Sequence, residues 1–203
     1  LEMIPEFQTS EKVLLFNPDV CLYRALSKEE KEQVVSKKTE NTDVRMVLRT
    51  PDNAMYRDLK EKTSIEKKDF MGRTFLIEGE MPKKKWKITA EQENIAGFIC
   101  MKAILDDTTN TVAWFTPQIP VSAGPASYGD LPGLILKVSV NDDTRVYEAN
   151  KVDLKELEEG SFVAPSEGKK VSREKFTKIV EEKTKEMEEI NGGSGTRIKI
   201  IRE

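Results

Sequence analysis

The chain has 203 residues, a length that fits one domain, with 33 Lys and Arg set against 36 Asp and Glu. A net charge of −3 supplies no field that would gather nucleic acid or an anionic membrane surface. The sequence contains no histidine, which excludes Ser-His-Asp and Cys-His catalysis, His-ligated zinc or haem, and imidazole acid–base chemistry.

The first third reads as short strands over Lys12–Phe16, Val20–Leu26, Val44–Arg49 and Ala54–Asp58, separated by polar breaks. Between them, Ser27 to Asp43 is dense in Lys, Glu and Thr, with Val34 and Val35 its apolar residues, and reads as a solvated loop or a frayed helical turn. A strand is expected over Asp69–Glu78, followed by Lys84–Thr89, where Trp86 and Ile88 alternate with polar residues. Ile95–Leu105 is apolar on both sides and reads as one central strand. Residues 106–110, DDTTN, turn the chain into Thr111–Thr116. Leu134–Val140 comes next, and Asn141-Asp142-Asp143 turns it into Thr144–Val152. Trp86, Phe98, Trp114, Leu134, Leu136 and Val138 are the expected common core.

One long helix is expected near the end. Ser172 is its N-cap, and Phe176, Ile179, Val180, Lys183, Met187 and Ile190 form a stripe at helical spacing. Asn191-Gly192-Gly193 is a left-handed stop, and Thr196–Arg202 forms a final strand or tail. The fold class is therefore α+β with β dominant: an antiparallel meander sheet, curved or half-barrel, with a C-terminal amphipathic helix, all in one domain over 1–203.

The unusual segment is Thr116–Leu134, TPQIPVSAGPASYGDLPGL, which holds Pro117, Pro120, Pro125, Pro132, Gly124, Gly129 and Gly133. Proline fixes φ and glycine widens it, so such a loop is irregular yet stiff. Leu131-Pro132-Gly133-Leu134 has the order of a type II turn. A loop of this kind has two readings: a crossover that roofs the sheet, or a ready-made surface for a protein partner. On the second reading Tyr128 is the anchor, with Ile119, Val121, Asp130, Pro132 and Gly133 around it.

The run GPASYGDLPGLIL, Gly124–Leu136, resembles the GLPGLI family of Bacteroidota. The resemblance extends through KKWKITAEQENIAGFICMKA (Lys84–Ala103) and AWFTPQIPVSAGP (Ala113–Pro125), and takes in FMGRTFLI (Phe70–Ile77) and VLLFNPDVCLY (Val13–Tyr23). Asp130 stands where the motif has its first glycine. The family has no known function. The resemblance implies an exported, periplasmic protein whose signal peptide has been removed, with an outer-membrane receptor of the TonB-dependent type as partner. The start at Leu1-Glu2-Met3, without an apolar run, is itself expected of a trimmed product.

No motif calls for a cofactor or a metal. The aspartate-rich turns lack the EF-hand pattern, and the seven methionines are scattered singly. Trp86 within Lys83–Lys87 reads as a core aromatic beside edge lysines rather than a nucleic-acid contact. No stretch reaches the ~20 apolar residues of a membrane span. Cys21 and Cys100 are either one long-range disulfide in an oxidising compartment or two buried thiols. The favoured function is a non-enzymatic binding or accessory protein of the envelope. The alternative is a hydrolase built on carboxylates from Glu91, Glu93, Asp106, Asp107 and Asp130, or on a lysine beside Ser122 or Ser127.

Overall fold

The computed structural model describes residues 9–26, 33–39, 42–48, 52–158 and 160–191. The fold is β-dominant, with thirteen strands among these residues and one C-terminal helix, as the sequence pattern requires. The strands lie in two sheets and a separate hairpin rather than in one meander, and no closed barrel forms among the described residues.

The first sheet is built from β1 (Lys12–Phe16), β2 (Val20–Ala25), β5 (Ala54–Asp58), β6 (Thr63–Phe70), β7 (Arg73–Glu80) and β13 (Lys169–Val171), in that spatial order. β3 (Gln33–Thr39) and β4 (Thr42–Leu48) pair only with each other. The expected loop or helical turn over Ser27–Asp43 is thus replaced at 33–39 by a strand, whose backbone groups are satisfied across the hairpin. The second sheet runs β12 (Arg145–Glu148), β11 (Leu134–Val140), β10 (Val112–Thr116), β9 (Phe98–Leu105) and β8 (Trp86–Ile95). All neighbours are antiparallel except β13, which lies parallel to β7.

Two expected strands are in fact cut by tight turns. Met71 and Gly72 both have positive φ, at 50° and 71°, and Ala96 and Gly97 do the same at 50° and 86°. Two successive left-handed residues match the right-handed twist of a two-residue hairpin. They fold Asp69–Glu78 into β6 and β7, and Ile95–Leu105 into β8 and β9.

The helix α1 (Arg173–Asn191) starts at the expected cap, where Ser172 Oγ accepts from the Lys175 amide at 3.3 Å. Phe176 is buried against Phe75, Ile77 and Val171, with its ring edge-on to Phe75 at 5.3 Å and to Phe70 at 6.1 Å. Arg173 Nη1 reaches Glu66 Oε2 at 3.3 Å, fixing the helix start to β6. The expected tail at Thr196–Arg202 and the glycines of the helix stop lie outside the described residues.

The six residues expected to share a core divide between two clusters. Phe98, Trp114, Leu134 and Leu136 join Cys21, Cys100, Ile95, Ile119 and Ala123, which links the second sheet to β2 of the first. Trp86 and Val138 join Ala103, Ala113, Phe115, Leu131 and Ile135. Trp86 pairs with Leu105, which alternation puts on the Ala103 face of β9, opposite to Phe98, and a register shift between Trp114 and Phe115 on the β10–β11 ladder accounts for Val138. One extra residue at a bulge reverses the facing of the residues beyond it, so Val138 parts from Leu134 and Leu136.

Candidate functional site

The Pro- and Gly-rich loop between β10 and β11 is held from below along most of its length. Leu134 and Ile135 donate backbone bonds back to Ile119 O and Ala123 O, both at 2.9 Å. Ile119 is 5% exposed, Ala123 0% and Leu131 2%, so the apolar residues of the loop complete the two core clusters. Its glycines serve close approach. A Cβ on Gly133 would lie 2.2 Å from Thr116 O, and one on Gly129 would lie 2.7 Å from Arg57 Nη1. Gly133 does not take a left-handed φ, so the expected type II turn is not the reason for that glycine. Positive φ falls instead on Ala126 at 48° and on Asp130 at 65°, and aspartate tolerates that region better than most residues.

Arg57 is the residue that sequence reasoning missed. It is 4% exposed, and alternation along β5 places it inward beside Met55. Its Nη1 donates to Tyr128 O at 2.7 Å, its Nη2 to Gly124 O at 3.3 Å and its Nε to Cys21 Sγ at 3.2 Å. The rigid fork of a guanidinium suits three acceptors in different directions. A second clamp comes from β8, where Trp86 Nε1 donates to Gly129 O at 2.8 Å. A third joins the loop to the segment before β8: the Lys84 amide donates to Asp130 Oδ2 at 2.9 Å, and the Asp130 amide donates to Ser122 Oγ at 3.1 Å.

Above these clamps the loop shows a polar and aromatic crest. Asp130 and Pro132 are exposed, and Tyr128 and Val121 are half-buried, whereas Ile119 and Gly133 face the interior of the chain. The Tyr128 ring lies 6.1 Å from that of Tyr147, which in turn meets Tyr23 at 6.2 Å. Lys84 Nζ sits 5.3 Å from the Tyr128 ring centroid, within cation–π range. Burial at this place pulls the Lys84 ammonium below the usual lysine range. Arg57 and Arg173 push the same way, while Asp107 and Asp130 oppose them.

The five carboxylates of the hydrolase reading fall into two groups. Glu91 is bound to Lys102 Nζ at 2.9 Å and Glu93 faces Lys137 Nζ at 3.4 Å. Asp107 accepts from the Thr109 amide and hydroxyl at 2.9 and 2.6 Å, as turn chemistry predicts. Asp106 and Asp107 line a cleft of about 240 Å³ beside Lys84. Ser122 and Ser127 are exposed, and Ser122 Oγ is engaged by the Asp130 amide. Among the described residues no group of three or more Cys, Asp or Glu is placed to hold a metal ion.

Cys21 and Cys100 are both free and buried in the same apolar cluster. Burial, reinforced by the negative charge of Glu93, pushes the Cys100 thiol up to about 11. Burial also raises Cys21, against the pull of the Arg57 charge and hydrogen bond. Among the described residues no helix is long and apolar enough to cross a membrane.

The family model described as "Protein of unknown function (Porph_ging)" matches residues 104–137, from the end of β9 through the loop into β11. That family is found in Bacteroidota. No curated protein matches the chain. Two solved structures, of PNGF-II in C2 and in P21 space groups, share the fold at 15% identity and a TM-score of 0.52. The match takes in 85% and 86% of this chain and 30% of the PNGF-II chain in each case. The chain therefore spans about a third of the length of the structures it resembles.

Proposed function

We propose that this chain is a GLPGLI-type, extracytoplasmic binding or accessory domain, extending over 1–203, that meets a protein of the bacterial envelope through the crest of its Pro- and Gly-rich loop. The carrying observation is the separation of roles within the loop. Ile119, Leu131 and Gly133 are committed to the interior, while Tyr128, Asp130 and Pro132 stand on a backbone clamped by Arg57, Trp86 and Lys84. A surface ordered before binding loses little entropy on binding, and a tyrosine among polar neighbours is a common anchor. The occupant that best fits the family resemblance is an outer-membrane receptor.

A photo-crosslinking residue at position 132, compared with one at the remote helix position 175, tests this reading in the native envelope. The expected result is an adduct with one envelope protein from position 132, lost on Tyr128→Ala. Identical adduct patterns from both positions would contradict it.

A further inference from the structure

Among the described residues the first sheet ends at β1, and this edge carries little protection against pairing with another chain. The other outer strands are short or bulged: β13 has three residues and β12 four, and the β8 ladder shifts register between Ile88 and Gln92. β1 reads KVLLF, an apolar run with no proline or glycine. Its open backbone groups follow from the hairpin with β2. The Asn17 amide donates to Val20 O at 3.0 Å, and the Leu26 amide to Glu11 O at 3.2 Å. The ladder keeps one register from Lys12–Ala25 to Phe16–Cys21. Val13 and Leu15 therefore bond to β2, while Lys12, Leu14 and Phe16 turn their N–H and C=O groups outward.

We propose that this edge joins a second copy of the chain, β1 against β1 in antiparallel sense, about a two-fold axis at Leu14. This does not rest on the loop crest. The strand is complementary to itself in that register. Leu14 exchanges both backbone bonds with the partner's Leu14, and Lys12 does so with the partner's Phe16. Val13 falls opposite the partner's Leu15, both half-buried in the single chain, so apolar side chains meet on both faces of the joined sheet. An axis at Lys12 would set two ammonium groups opposite each other, and one at Phe16 would set Pro18, which lacks a donor, against Leu14. The charges agree. The Phe16 end of β1 opens on a cleft of about 320 Å³ lined by Phe16, Asn17, Lys155, Glu156, Leu157 and Phe162. The register brings the partner's Lys12 opposite Phe16 and the partner's Glu11 opposite Asn17. A lysine and a glutamate thus arrive where Glu156 and Lys155 stand.

The test is sedimentation velocity of the whole chain at protein concentrations up to about 100 µM. The wild type is expected to be dimeric at the top of that range and to dissociate on dilution. Lys12→Glu is expected to weaken the dimer about tenfold, and Lys12→Glu combined with Glu156→Lys to recover most of that loss. A wild type that stays monomeric throughout would overturn the proposal. So would a dimer that Lys12→Glu leaves unchanged, or one that the second substitution does not recover.

Discussion

Arg57 Nη1 donates to the carbonyl oxygen of Tyr128 at 2.7 Å, joining two residues 71 positions apart in the sequence. The bond fixes the crest of the loop to the first sheet. Among the described residues no carboxylate forms an ion pair with this buried guanidinium, so two carbonyls and a sulfur replace its lost water. Charged donors bonded to buried carbonyls are worth more than neutral ones, and removing them strands the acceptors. Arg57→Met is therefore expected to lower stability by about 3 kcal/mol, read as a drop in midpoint in urea unfolding. Arg57→Lys should recover only part of that loss, since one ammonium cannot match the geometry of the fork.

Glycine substitutions separate close approach from backbone conformation. Gly133→Ala sets a Cβ against the Thr116 carbonyl oxygen, where backbone on both sides must shift. Gly97→Ala meets nothing within 4 Å and carries only the strain of its φ of 86°. The Gly97 variant should cost about 1 kcal/mol, and the Gly133 variant clearly more, in parallel thermal melts. Equal losses would show that the contact with Thr116 is not what demands the glycine.

The buried Phe176 ties the helix to β7. Phe176→Ala removes the ring that meets Phe70 and Phe75 edge-on and should cost about 3–5 kcal/mol. Hydrogen exchange along Lys175–Thr184 should accelerate in the variant before exchange in β9 does, because the helix then undocks as a local unit.

Stability should also fall at alkaline pH. The Cys100 thiol is held up to about 11 against an ordinary 9.0, so the folded state keeps its proton where the unfolded chain has lost it. The stabilisation from this group is complete below pH 9 and is lost as pH rises from 9 towards 11. Urea midpoints measured over that range should decline, and Cys100→Ala should flatten the decline. An unchanged slope in the variant would assign the effect to other groups.

The elements legible in the sequence are those with a strong local pattern. β1, β5, β10 and β11 alternate or run apolar between polar breaks, and Phe176 with Ile179 and Val180 makes the helical stripe plain. The missed turns lack the Asn-Gly or Asp-Gly signal, since Met71-Gly72 and Ala96-Gly97 place a non-polar residue at the first left-handed position. β13 is three residues long and pairs in parallel with a strand nearly a hundred positions earlier, which no local pattern reveals. The same holds for the site. Tyr128, Asp130 and Pro132 are identifiable as residues of a stiff loop, but an irregular backbone has no periodicity to separate buried Ile119 and Gly133 from the exposed crest. Arg57 is hidden because a charged residue in a strand ordinarily reads as exposed, and its acceptors belong to a distant loop.

The central claim is that the Pro- and Gly-rich loop is rigid architecture that holds its crest, at Tyr128, Asp130 and Pro132, in a fixed outward position. The most direct measurement is native-state hydrogen exchange of the Tyr128, Leu134 and Ile135 amides, which bond to Pro125, Ile119 and Ala123, in the wild type and in Arg57→Lys. The account predicts protection in the wild type comparable with that of β9 and a selective loss at Tyr128 in the variant. Wild-type exchange at all three amides as fast as in an unstructured loop would contradict it.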